Sequence, residues 1–309
     1  MKQTILSEKI RNLADSNGID ALGFAEASEF KDYVLNRSKR RDPKLSLPDA
    51  KTIIVVGIYI GGIVLPAWNK SRFGRTSRLY LSGFFLDVVK PLEPIAMFLR
   101  NEGYSAIVCD DSVSGGSIIP LKLAAVRAGL GWQGKHSLLI NKKYGTFLAL
   151  GGIVTNAILE YNEVEEKNRC KNCQKCQQAC PCEALEQPYI LNRKRCLSNL
   201  LQNDNLPEEA KAVMENRIFD CEICQQACPW NKKHIESPLV TNATTFFQNK
   251  ILDWEDFFYL PNLAKVTKKE YRETIGPLNT RIPYAIFQRN VLIAMKRVKE
   301  ACIRIKGIG

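Results

Sequence analysis

"NRCKNCQKCQQACPCEALEQP", residues 168–188, places five of the chain's eleven cysteines within thirteen positions, in a protein of 309 residues with only two histidines. Clustered thiols serve disulfides in oxidising compartments and metal in reducing ones. The N-terminal "MKQTILSEKIRNLADSNG" spreads charge through its apolar positions, so it does not read as a secretion signal. No apolar run approaches the roughly 20 residues of a membrane span. The chain is therefore expected in the cytoplasm with no membrane partner. There, an odd count of eleven cysteines argues for metal over a complete disulfide framework.

The spacing specifies the metal. Cys170, Cys173, Cys176 and Cys180 form C-x2-C-x2-C-x3-C with Pro181 directly after, and Cys196, Cys221, Cys224 and Cys228 form a second set ending at Pro229. In bacterial ferredoxins three cysteines of such a run hold one [4Fe–4S] cube and the fourth reaches its neighbour. That logic crosses the ligands. One cluster takes Cys170, Cys173, Cys176 and Cys228; the other takes Cys180, Cys196, Cys221 and Cys224. Structural zinc also uses C-x2-C pairs, but eight thiols and a proline after each fourth cysteine fit iron and sulfide better. Cys109, in a predicted strand, and Cys302, on an apolar helix face, read as inert thiols. Cys182 reads as a neighbour of a cluster and not a ligand.

Around this segment the periodicity predicts an α+β protein. Residues 4–17 form an amphipathic helix stopped by Gly18, and 52–60, 104–109 and 146–155 are strands. Residues 79–101 look helical, interrupted by Pro91 and Pro94, and 117–128 look helical too. Such alternation implies a sheet domain covered by helices over 1–160. A ferredoxin-like module follows over 161–235, and a helical extension over 236–309. In the tail, Tyr284, Phe287, Val291, Met295, Val298, Cys302 and Ile305 recur at steps of three and four, one apolar helix face. From Lys265 onward eleven Lys or Arg face three Asp or Glu, which carries most of the formal +12 charge. A solvated helix face explains this as readily as an anionic partner does.

"AVRAGLGWQGKHSLLI", "KRCLSNL" and "MENRIFDCEICQQACPWN" resemble epoxyqueuosine reductase, the cobalamin-dependent iron–sulfur enzyme family of tRNA modification, itself related to the reductive dehalogenases. The resemblance spans roughly residues 5–300. It implies a nitroreductase-like α/β domain holding base-off cobalamin, fed with electrons by the two [4Fe–4S] clusters, with a ferredoxin or flavodoxin as low-potential donor. It also implies that Gly129, Gly131, Trp132, Gly134, Lys135, His136, Ser137 and Gly151 line the corrin, with Ser198 facing it from the cluster side. Glycines admit close backbone approach to a macrocycle. His136 reads as a hydrogen-bonding core residue more readily than as a cobalt ligand, and His234 as a surface residue.

The departures concern the substrate. The family's acidic proton donor, some twelve positions before "AGLGW", falls on Gly116. Asp110 and Asp111 lie just upstream as weak catalytic candidates, although a turn or cap after the strand explains them better. The family's Asp-Tyr-His segment reads Gly83-Phe84-Phe85, and most of its tRNA-holding helical repeats are not expected. The expected function is thus a cobalamin-dependent iron–sulfur oxidoreductase on an unknown substrate. The alternative is a dicluster electron-transfer protein reducing a partner such as a corrinoid protein. Efficient reduction of epoxyqueuosine in tRNA is not expected, and nucleic acid is a less favoured partner.

Overall fold

The computed structural model describes residues 2–31, 42–83, 90–109, 118–161, 166–250, 256–274 and 282–306. Its contacts separate two compact units. The first comprises residues 1–60, 87–173 and 239–243; the second comprises 61–86, 174–238 and 244–309.

The first unit is built on a four-stranded sheet of β1 (Ala21–Glu26), β2 (Thr52–Tyr59), β3 (Ala106–Cys109) and β6 (Leu148–Thr155), in the order β1-β2-β6-β3. Every pairing is antiparallel. No parallel crossover is needed, so helices and strands are combined as in α+β proteins. Two faces follow from the register. Phe24, Ile54 and Ile153 pair in a row and pack against Leu6, Ile10 and Ala14 of the Lys2–Ser16 helix and Ile95, Ala96 and Leu99 of the Glu93–Asn101 helix. The opposite face carries the row Gly23, Val55, Gly152 and Cys109. Two glycines there let the Leu121–Arg127 helix sit close. A Cβ on Gly23 would lie 2.3 Å from the Ala128 carbonyl oxygen, and one on Gly152 would lie 3.0 Å from Leu121 Cδ2.

In the second unit, aromatic rings join the cysteine segment to the tail. Tyr80 stacks on Phe219, Phe219 on Phe287 and Phe287 on Tyr271, with centroids 4.9, 5.5 and 5.0 Å apart. The Tyr284–Lys306 helix supplies Phe287, and buries Val291 and Ala294 alongside it. Its Asn290 amide donates to the carbonyls of Leu201 and Ile218 at 2.7 and 2.8 Å. The expected apolar face is therefore docked at Phe287 and Val291; the side chains of Cys302 and Ile305 lie outside the described residues.

Several expectations need adjustment. β1 was not anticipated, because "ALGFAE" is short and interrupted by glycine. The stretch 79–101 yields separate helices, Arg78–Ser82 and Glu93–Asn101, and Pro94 sits in the first turn of the latter, where its missing N–H costs nothing. "GLGWQGKHSLLI" forms a hairpin, β4 (Trp132–Gln133) against β5 (Leu139–Ile140). The extension holds the helices Asn242–Lys250, Leu260–Leu263 and Lys268–Thr274 besides the tail helix. The two units also interleave along the chain instead of following the boundaries 160 and 235.

Replacing Gly23 by Ala forces a methyl group into the Ala128 carbonyl. Overpacking of this kind typically costs about 1–3 kcal/mol. Urea unfolding of Gly23→Ala is expected to show a lowered midpoint; an unchanged midpoint would mean that the helix is not seated on this glycine row.

Candidate functional site

Six of the eight expected ligands belong to the second unit: Cys176, Cys180, Cys196, Cys221, Cys224 and Cys228. The hexapeptide CQQACP recurs at 176–181 and 224–229. Each copy makes one four-residue helix, Lys175–Gln178 and Ile223–Gln226, and the two pack together. Both end alike, with Cys180 N–H on the Gln177 carbonyl and Cys228 N–H on the Gln225 carbonyl. Burial pushes the Cys224 thiol well above its usual range, and the neighbouring Cys221, Cys196, Cys180 and Cys176 push it further. Burial likewise lifts Cys221 to about 12 and raises Cys196, which feels the charges of Asp220 and Cys180. Cys180, Cys196 and Cys221, which with Cys224 make up the expected second ligand set, thus lie close enough to Cys224 to oppose its ionisation, as does Cys176 of the other set. Cys182 is pushed to about 11 by burial and then by Cys180 and Cys196. It therefore lies near Cys180 and Cys196.

Two acidic residues that sequence reasoning overlooked hold this run in place. Glu222 is 2% exposed and accepts from the Arg78 backbone N–H at 2.9 Å, from Gln226 Nε2 at 2.9 Å and from Arg78 Nη1. Asp220 accepts from Ser77 Oγ at 2.5 Å and from the Cys221 N–H at 2.8 Å. Burial raises the Asp220 carboxyl, and hydrogen bonds from Ser198, Ser77 and Cys221 oppose the rise. Ser198, expected beside the corrin, therefore has its hydroxyl on Asp220. The only sequence signal for these acids was their position flanking Cys221.

Cys170 and Cys173 belong to the first unit, in a loop tied to the β4–β5 hairpin. Cys173 N–H bonds the Cys170 carbonyl at 2.8 Å, and Asn168 Oδ1 accepts from the Cys170 N–H at 2.9 Å. Asn168 Nδ2 reaches the Gln133 carbonyl at 3.1 Å, and Lys135 Nζ reaches the Lys171 carbonyl at 2.6 Å. Lys135 thus bonds the ligand loop.

The rest of the glycine segment is packed largely on itself. Gly129 and Gly131 take φ of 72° and 153°, and a Cβ on Gly131 would lie 2.1 Å from the Ile140 carbonyl oxygen. Trp132 is fully buried, and Gly151 is buried within β6. Ser137 takes a left-handed φ of 63° at the hairpin turn. Gly134 makes room for the His136 ring, since a Cβ there would lie 2.5 Å from its Cε1. His136 is 2% exposed; its Nδ1 accepts the Leu138 N–H at 3.2 Å, which leaves the proton on Nε2. Burial and then the Lys122 charge lower its pKa to about 4, so the ring is neutral at neutral pH. His234 is 1% exposed, contrary to the surface position expected from sequence, because the Lys232–Glu236 helix turns it inward. Cys109 is the inert buried thiol expected, lifted by burial to about 12. Asp110, Asp111, Gly116, Phe84 and Phe85 lie outside the described residues.

The cysteines fit iron–sulfur clusters by donor chemistry, since burial opposes the thiolates of Cys196, Cys221 and Cys224 and cations relieve buried thiolates, although among the described residues no group of three or more His, Cys, Asp or Glu could hold a single metal ion. They fit a corrin on narrower ground. The Nε2–H of His136 has no hydrogen-bond partner among the described residues, and an acceptor on a bound group would relieve it.

Among the described residues no helix is long and apolar enough to cross a membrane. A family model for the 4Fe-4S double cluster binding domain matches residues 169–231. Epoxyqueuosine reductase of Prochlorococcus marinus is 31% identical over 263 residues, spanning 75% of this chain and 80% of that protein. That of Lactococcus garvieae is 34% identical over 230 residues, 66% of this chain and 63% of the relative. Epoxyqueuosine reductase from Streptococcus thermophilus superposes with a TM-score of 0.78 at 26% identity, covering 97% of this chain and 84% of that one. A structure of an epoxyqueuosine reductase with an epoxyqueuosine-modified tRNA-Tyr stem loop gives 0.76 at 25% identity, covering 96% and 83%. A reductive dehalogenase, at 17% identity and TM-score 0.54 over 87% and 37%, shares the fold alone. With a double-cluster segment and close to a third of its residues shared along most of a relative's length, the chain belongs to the epoxyqueuosine reductase family of oxidoreductases.

Proposed function

We propose that the chain is a cobalamin-dependent iron–sulfur reductase acting on epoxyqueuosine in tRNA, slowed by the loss of a positioned acid. The observation that carries the reading is the double ligand set of a family whose relatives are epoxyqueuosine reductases. When bound, the two clusters relay single electrons and the corrin cobalt supplies a strongly reducing centre. Cys170, Cys173, Cys176 and Cys228 hold one cluster; Cys180, Cys196, Cys221 and Cys224 hold the other. The hairpin segment from Gly129 to Ser137, with Gly151, forms the corrin side of the site, and the His136 Nε2–H offers it a neutral hydrogen-bond donor. Reductive opening of an epoxide consumes two electrons and needs protons at the departing oxygen. Two one-electron carriers match the electron count. The protons are the weak point, because Gly116 has no side chain where the family places its acid, and a positioned acid is typically worth about a hundredfold or more in rate. The net +8 charge from Lys265 onward suits a polyanion.

Gly116 also favours a second reading, an electron-transfer protein that reduces a corrinoid partner and has no substrate of its own. A low-potential ferredoxin or flavodoxin serves as donor in either case.

Anaerobically reconstituted protein is expected to hold eight irons and eight acid-labile sulfides per chain, as two [4Fe–4S] clusters require. Cys196→Ser should lose one cluster and Cys182→Ser none; zinc at one or two equivalents instead of iron would sink the ligand set. Hydroxocobalamin titrated into the protein should change its visible spectrum, and absence of any spectral or calorimetric response at micromolar protein would remove the corrin. Turnover of epoxyqueuosine-containing tRNA should run about a hundredfold or more below that of an acid-bearing relative, and Gly116→Asp should raise it. No conversion by either form would leave the electron-transfer reading.

A further inference from the structure

Lys135 is 9% exposed, yet its ammonium forms no ion pair among the described residues. Its Nζ instead donates to the carbonyl of Lys171 at 2.6 Å. Lys171 lies one residue after Cys170 and two before Cys173, and takes a left-handed φ of 41° that turns its carbonyl within the ligand loop. A second tie, Asn168 Nδ2 to the Gln133 carbonyl at 3.1 Å, holds the same loop on the same hairpin. A buried ammonium is costly unless a counter-charge lies near. The other basic side chains of the loop differ. Arg169, Lys171 and Lys175 are exposed, and Arg169 faces Glu166 at 3.9 Å, so water and salt screen them.

We propose that Lys135 is a positioning residue for the first cluster, strapping its ligand loop to the β4–β5 hairpin and using the cluster's own negative charge as its counter-ion. The inference rests on the ligand set proposed above. Four thiolates around a cube leave it negative, and each electron added makes it one charge more so. A fixed buried cation therefore stabilises the reduced form more than the oxidised one, which raises the reduction potential.

The test compares full-length, reconstituted wild type with Lys135→Gln, Lys135→Arg and Lys175→Met, reading iron content and an EPR-monitored redox titration. Gln keeps a donor for the Lys171 carbonyl and removes the charge; Arg keeps the charge. Lys135→Gln is expected to move one cluster to a more negative potential, by about tenfold or more in the reduced-to-oxidised ratio at fixed potential, about 59 mV for one electron. Lys135→Arg should stay nearer wild type, and Lys175→Met should move less than Lys135→Gln. Loss of four irons from the Gln variant, with eight kept by the Arg variant, would equally support a counter-charge role. Unchanged potentials and iron in Lys135→Gln would overturn the proposal, as would equal losses in Gln and Arg or an equal shift in Lys175→Met. Wild type without iron would instead strike down the ligand set.

Discussion

Gathering thiols away from water is unfavourable until a cation joins them, and the second unit is organised around that constraint. Cys224 shows it most sharply, with burial and four neighbouring cysteines all opposing its thiolate. Iron binding must therefore release protons and return much of its binding energy as stability of the loops that carry the ligands. The two helices of CQQACP are four residues each, far too short to persist on helix propensity. Their mutual packing, their anchoring acids and the clusters they serve have to supply what propensity does not.

The anchoring acids follow the same logic with opposite sign. Glu222 is buried among donors from Arg78 and Gln226, and Asp220 sits between two serine hydroxyls and the Cys221 N–H. A buried ion pair contributes little net stability, but removing one partner strands the other at a cost of about 3–5 kcal/mol. Such a network fixes where a chain must lie, and here it fixes the backbone immediately before Cys221 and on either side of Ile223. The aromatic row from Tyr80 through Phe219 to Tyr271 then joins that backbone to the tail helix, so the tail is part of the cysteine unit's core.

Legibility followed the strength of the local signal. Cysteine spacing marked out the double-cluster segment because the chemistry of a cube dictates both residue type and interval. The β2 and β6 strands were readable as apolar runs, since both faces of the sheet are covered by helices. β1 escaped because Gly23, which weakens its strand signal, is required by the close Ala128 carbonyl. The β4–β5 hairpin escaped because two-residue strands carry no period. His234 was misplaced at the surface because a short basic helix reads as solvated while one of its side chains turns inward. Interleaving of the units was invisible, since nothing in residues 61–83 announces that they pack with a segment more than a hundred positions later.

The glycines of "GLGWQGKHS" show why motif and mechanism must be separated. Their sequence pattern suggested backbone bared for a macrocycle, but Gly131 is required by the Ile140 carbonyl and Gly134 by the His136 ring. The pattern is first a solution to folding a tight hairpin. What that hairpin then presents is a pair of adjacent basic residues with different tasks. Lys135 bonds the carbonyl inside the Cys170–Cys173 loop, while His136, turned over Gly134, keeps a neutral N–H without an acceptor among the described residues. Lys135 thus ties a ligand loop to the hairpin, while the imidazole of the next residue fills the room that Gly134 leaves. Glycine at 134 is the condition for the placing of that imidazole, because a Cβ there would lie 2.5 Å from its Cε1.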